Sequence, residues 1–145
     1  MKLLGIDYGD KIIGLAMGDS NGPMVHGHGV LERIEINTDL EEIRQIVEDN
    51  NINQIVIGLP KRLDNTIGTK AQEVLEFVEL VKQQTGLPVV TWDERLTSVE
   101  ANRSLQDVNM SHRQKKRHIN TVAACIILQS YIDAQKFKDA LPPEE

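Results

Sequence analysis

Only four residues, Tyr8-Gly9-Asp10-Lys11, separate the apolar run KLLGID (2–7) from IIGLAMG (12–18). Both runs read as strands, and the gap is too short for a helical crossover. They must therefore pair antiparallel as a hairpin. A third strand, VHGHGVLERIEI (25–36), follows with glycines thinning its beginning. Thr38 with Glu41 three residues on has the form of a capping box, which predicts a helix running to about Asp49.

The remaining chain alternates strands and helices. NQIVIG (53–58) is continuously apolar between polar flanks, the pattern of a strand buried on both faces. Ala71, Val74, Leu75, Val78 and Val81 fall at helical spacing, and Gly86 and Pro88 stop that helix. PVVTW (88–92) is a further buried strand with Asp93-Glu94-Arg95 at its end. Thr97 and Glu100 form a second capping box for a helix to about Asp107, and the last helix spans about 119–138. The order β-β-β-α-β-α-β-α-α predicts an α/β protein with a mixed five-stranded sheet flanked by helices. Without a linker, repeat or low-complexity tract, residues 1–139 are expected to form one domain, with 140–145 a frayed tail.

Composition excludes few functions but directs attention. The 145 residues are 40% apolar and 26% charged, the balance of a globular domain. No apolar run reaches the roughly 18–20 residues of a spanning helix. Asp7 cuts short the apolar start that a signal peptide would need. One cysteine, Cys125, falls inside the last apolar helix and reads as core packing. A cytoplasmic protein without membrane attachment is expected. Net charge is −6, yet residues 101–120 hold Arg103, Arg113, Lys115, Lys116 and Arg117 against Asp107 alone. A polyanion responds to that local field rather than to the mean.

In a sheet of this kind, functional groups gather beyond the C-terminal ends of the parallel strands. Asp7 ends the first strand, and Asp93 and Glu94 end the fifth. Carboxylates collected there repel one another unless a cation lies between them, and oxygen ligands suit Mg²⁺ or Mn²⁺. The plainer reading makes Asp7 a turn residue and Asp93-Glu94 solvated flanks of a helix cap. Lys61 and Arg62, after the fourth strand, and the run Arg113, Lys115, Lys116 and Arg117 have the density of a phosphate-binding surface, although charge runs are more often simply solvated. Asn120 opens the last helix, where an amide ordinarily caps orphan N–H groups. His26 and His28, two apart on a strand, read as surface residues. Tyr8, Phe77, Trp92, Tyr131 and Phe137 are scattered and offer no stacking platform, with Trp92 read as core.

Four blocks carry a resemblance: LLGIDYGDKIIGLAMGD, IVIGLPKRLDNTIG, PVVTWDERLTSVEA, and the basic run into INTVAACIILQSYID. In this order, over nearly the whole chain, they resemble the YqgF/RuvX family, described both as Holliday-junction resolvases and as pre-16S rRNA nucleases. The resemblance implies an RNase H-like fold and a metal-dependent nuclease hydrolysing phosphodiester bonds in structured nucleic acid, in 16S rRNA precursor processing first. A DNA Holliday-junction resolvase is the alternative. The implied partners are pre-rRNA or branched DNA, and the implied assembly is a monomer or a homodimer. Asp7 becomes the principal catalytic metal ligand, Glu94 in preference to Asp93 the second carboxylate, and Arg95 a residue that orients that acid or meets a phosphate. Where the family has a third acid, in a motif I-D-x-x-A-A, this chain reads Ile119-Asn120-Thr121-Val122-Ala123-Ala124. Asn120 thus removes one negative charge from a catalytic position. The expectation is at most one tightly held ion without substrate and an activity below that of a full-triad relative, or nucleic-acid binding with weakened catalysis. Ile12, where the family often has a base beside Lys11, is a smaller departure.

Overall fold

The computed structural model describes residues 1–22, 25–60, 68–93 and 112–140, with the side chains of the last helix described from 119 to 136. Five strands form one sheet: β1 (Lys2–Tyr8), β2 (Ile12–Asp19), β3 (Val25–Glu32), β4 (Gln54–Leu59) and β5 (Val89–Asp93), in the spatial order β3-β2-β1-β4-β5. The predicted hairpin forms, with Lys2 opposite Asp19 and Tyr8 opposite Ile13. β4 and β5 join parallel to β1, so the mixed sheet expected from the sequence is present. The β2–β3 pairing shifts register between Leu15, opposite Gly29, and Ala16, opposite Gly27. His28 is the extra residue of a β-bulge there, and both His26 and His28 are exposed.

Helices cover the two faces. α1 (Ile36–Asp49) and α2 (Thr69–Thr85) lie on one side, over a core that includes Leu4, Ile6, Ile55, Ile57, Ile43 and Phe77. α3 (His112–Ala140) lies on the other, over Leu3, Ala16 and Val56, to which it contributes Ala124, Ile127, Leu128 and Ile132. Trp92 packs in this second layer as predicted, edge-on to Tyr131 and donating from its indole nitrogen to Ser130 Oγ at 3.0 Å. Cys125 is half-buried beside the same cluster.

Three boundaries differ from the sequence reading. α1 begins at Ile36, and its cap is Glu35, whose carboxylate accepts from the Thr38 N–H at 2.7 Å. The Thr38–Glu41 pair is therefore already inside the helix, where Glu41 instead pairs with Arg44. β3 correspondingly stops at Glu32. α3 begins at His112, so the basic run is helical and Asn120 lies in the third turn. Its capping role falls with that, because the orphan N–H groups of a helix are confined to the first turn. Gly86 does end α2 as read, in the left-handed conformation at φ 70°. The helix expected after Thr97 falls outside the described residues.

Candidate active site

β1, β4 and β5 run in one direction, so their C-terminal ends share a rim. α2 starts after β4 on this rim, and α3 packs over the sheet beside it. Asp7 is the penultimate residue of β1. Side chains alternate along a strand, and Leu3 and Gly5 of β1 both pack under α3, a Cβ on Gly5 lying only 2.8 Å from Leu128 Cβ. Asp7 shares their parity and faces α3. Directly across the hairpin from Asp7 is Gly14. The backbone of Asn120 approaches so closely that any Cβ at Gly14 would overlap the Asn120 carbonyl. One glycine thus brings Asn120, more than a hundred residues away in the chain, beside the position opposite Asp7. Burial pushes the Asp7 carboxyl up to about 6 from its usual 3.8, an effect partly opposed by the Lys70 ammonium.

The turn that follows Asp7 is held by groups that no sequence motif singled out. Tyr8 stacks on Phe77 with ring centroids 4.1 Å apart, and the Arg33 guanidinium lies 4.5 Å from the Tyr8 centroid. Arg33 Nη1 donates to the carbonyls of Gly9 (3.0 Å) and Asp10 (3.1 Å). Its Nε is 3.7 Å from Asp39 Oδ2. Asp39 is only 1% exposed. Its Oδ1 accepts from the Ile34 N–H at 3.0 Å, whereas Oδ2 has no hydrogen bond and depends on Arg33 for electrostatic compensation. A signal for Asp39 does exist in the sequence. It interrupts the helical-spaced apolar stripe Ile36, Leu40, Ile43 and Val47, where a solvated acid has no place. A cavity of about 940 Å³ opens between this turn, the β3–α1 connection and Asn120.

The remaining predicted site residues divide. Asp93 pairs with Leu59 and, by parity with Val89, belongs to the face of α1 and α2, opposite the face of Asp7. The structure does not bring those two carboxylates to one face. Glu94, Arg95, Lys61 and Arg62 lie outside the described residues. Arg113, Lys115, Lys116 and Arg117 occupy the first turns of α3, and their side chains lie outside the described set. Among the described residues no three His, Cys, Asp or Glu side chains converge as a metal cluster. A single divalent cation nevertheless suits the donors present. Asp7 is a carboxylate ionised at a cost, the Asn120 backbone packs against Gly14 opposite it, and Mg²⁺ takes one or two carboxylates while leaving its other positions to water and phosphate.

Sheet order, helix placement and an acid on the central strand define the RNase H-like fold of the resolvases. Thermus thermophilus RuvC superposes over 93% of this chain and 97% of its own with a TM-score of 0.58, at 13% identity. The fowlpox virus Holliday junction resolvase does so over 92% and 99% with a TM-score of 0.56, at 9% identity. The family model RuvX, described as Holliday junction resolvase, matches residues 1–134, and the chain belongs to that family. Curated relatives carrying the name pre-16S rRNA nuclease include one from Thermoanaerobacter pseudethanolicus, 40% identical over 139 residues and covering 95% of this chain and 100% of its own. Another, from Clostridioides difficile, is 42% identical over 132 residues, covering 91% and 94%.

Proposed function

We propose that this chain is a metal-dependent nuclease that hydrolyses phosphodiester bonds in structured RNA, with the 16S rRNA precursor as its substrate. The observation that carries the reading is Asp7: a desolvated carboxylate at the rim of the central strand, facing α3 across from the Asn120 backbone. Such a group costs stability when ionised, and chemistry at the rim accounts for its presence there. A bound Mg²⁺ or Mn²⁺ supplies polarised water and neutralises charge that develops on the phosphate. Asp7 holds that ion, with Glu94 as a second carboxylate. Asn120 contributes an amide oxygen where an acid would bind more strongly, so one ion is retained and a second is weak. Lys61, Arg62, Arg95 and the basic turns of α3 hold the phosphate backbone.

A DNA four-way junction is the second substrate reading, favoured by the family's description as Holliday junction resolvase. It requires two active sites related by two-fold symmetry, hence a homodimer, whereas RNA cleavage needs only a monomer. A substrate of the kind the relatives' name gives, pre-16S rRNA, favours the cytoplasm, and no helix among the described residues is long and apolar enough to cross a membrane.

The test compares Mn²⁺-dependent cleavage of a pre-16S rRNA fragment and a four-way DNA junction by the natural chain, Asp7→Asn and Asn120→Asp. Asp7→Asn should be silent and Asn120→Asp faster than the natural chain, by about ten- to a hundredfold if the restored carboxylate recovers the effect of one metal-supporting group. Three proteins that bind equally and cleave nothing would leave a nucleic-acid-binding protein in place of an enzyme.

A further inference from the structure

Two cations flank the turn after Asp7, and they differ in what they are committed to. Arg33 is fastened by two carbonyls and a buried carboxylate. Lys70 is not. Its Nζ lies 2.6 Å from Asp10 Oδ1 and 3.8 Å from Glu73 Oε2, in pairs whose acidic side chains are 82% and 52% exposed. Ion pairs of that exposure contribute little to stability and exchange readily. The ammonium also lies 5.1 Å from the Tyr8 centroid, and its charge reaches the Asp7 carboxylate through space.

Its place in the chain is unfavourable for a lysine that serves only the fold. Lys70 stands in the first turn of α2, where the helix already presents positive partial charge. That turn carries no acid, and its cap residue, Gly68, supplies no side-chain acceptor. Within the helix only Glu73, at 3.8 Å, answers the ammonium, and the shorter pair, to Asp10, draws it to the rim where β1 ends. The alternative role, a strut between α2 and the β1–β2 turn, would be served equally by a side chain that did not reach toward Asp7.

We infer that Lys70 is a substrate-binding residue: it exchanges Asp10 for a non-bridging phosphate oxygen of the nucleic-acid backbone, on a nucleotide adjoining the bond presented to Asp7. Asp10 is then a stand-in anion that holds the ammonium in place until the phosphate arrives. This placement rests on the nuclease reading of Asp7, but the binding chemistry is measurable without cleavage.

The experiment measures binding of the full chain to a labelled pre-16S rRNA fragment across a KCl series without divalent cation, for the natural protein, Lys70→Gln, Lys70→Arg, Asp10→Asn and the Asp10→Asn/Lys70→Gln double variant. Lys70→Gln should weaken binding severalfold and reduce the slope of log K against log salt by about 0.7–0.9, the contribution of one neutralised phosphate. Lys70→Arg should keep the slope. Asp10→Asn should tighten binding more when Lys70 is present than when it is Gln. An unchanged slope in Lys70→Gln, or an Asp10→Asn effect that is the same in both backgrounds, overturns the inference. If Lys70→Gln fails to fold, the Asp10→Asn and Lys70→Arg arms decide, since absence of tightening in the first refutes the exchange. Parallel Mn²⁺ cleavage by the natural chain separates the two readings. Binding as expected without cleavage refutes the nuclease and leaves the phosphate contact standing, whereas cleavage with an unchanged slope refutes Lys70 alone.

Discussion

Asp7 makes a pH-dependent demand on the fold. Its folded-state value, about 6, lies above the usual 3.8, so the folded chain holds this proton more tightly than the unfolded chain does. Below about pH 4 both states are protonated and the carboxyl costs nothing. Between about pH 4 and 6 stability falls as pH rises, and above 6 the cost reaches its full size, at most about 3 kcal/mol. Asp7→Asn keeps the shape and removes the charge. It should therefore melt at a higher temperature than the natural chain at pH 7.5, with the difference vanishing by pH 4. Added Mg²⁺ should raise the melting temperature of the natural chain at pH 7.5 and leave Asp7→Asn unmoved. Thermal melts at both pH values check this, and equal melting throughout would show that burial places no strain on the carboxylate. Asp7 could be found in the sequence because it ends an apolar run on a central strand. Lys70 could not, because the groups that single it out, Asp10 and Tyr8, come from a turn some sixty residues earlier in the chain.

At the scale of elements, the site depends on how closely α3 approaches β2. A methyl group at Gly14 would meet the Asn120 carbonyl, and backbone cannot rotate aside as a side chain can. Gly14→Ala should cost about 1–3 kcal/mol, the range for overpacking a filled interior, and should lower cleavage further by displacing Asn120 from the row of Asp7. Urea denaturation gives the first quantity and the Mn²⁺ assay the second. The Arg33–Asp39 pair fixes the turn from the other side. Arg33→Ala strands a carboxylate that is 1% exposed and should destabilise by about 3–5 kcal/mol. The Asp39→Asn/Arg33→Ala double variant should recover part of that loss, because the uncompensated charge is gone. Equal melting of the two variants would deny the pair its role. Sequence patterns misplaced both helix starts near these contacts, for identifiable reasons. Lys, Arg and Gln are good helix formers, so the run from His112 continues as helix although its charge suggested a solvated loop. The Thr38–Glu41 pattern matched a capping box, but Glu35 reached the orphan N–H first.

The whole molecule separates its charges across three layers. The hairpin and the parallel strands were legible because short gaps and continuous apolar runs leave few ways to pair, and the parallel pairing of β4 and β5 carries their C-terminal ends to the rim of the β1–β2 turn. Which rim acids share a face was not legible, since parity at Asp93 depends on the register of β5. The same layering explains how a chain of net charge −6 can receive a polyanion. Exposed Glu41, Glu42, Glu48 and Asp49 lie on α1, on one side of the sheet, and the basic turns of α3 belong to the layer on the other. Helix, sheet and helix stack at about 10 Å per layer, so the acids stand roughly 20 Å from a nucleic acid lying against α3, beyond the Debye length of about 8 Å at physiological salt. They should repel a polyanion from the α1 side and orient its approach without weakening the docked complex. Replacing Glu42 and Glu48 together by Gln should therefore leave both affinity for the pre-16S rRNA fragment and the salt slope nearly unchanged at physiological salt. Replacing Arg113, Lys115, Lys116 and Arg117 by Gln should reduce the slope by about 0.7–0.9 for each phosphate no longer neutralised. A salt titration of the two variants decides between them. If the acidic variant changes the slope as much as the basic one, the polyanion extends over the outer face of α1 and is not held by the rim and α3 alone.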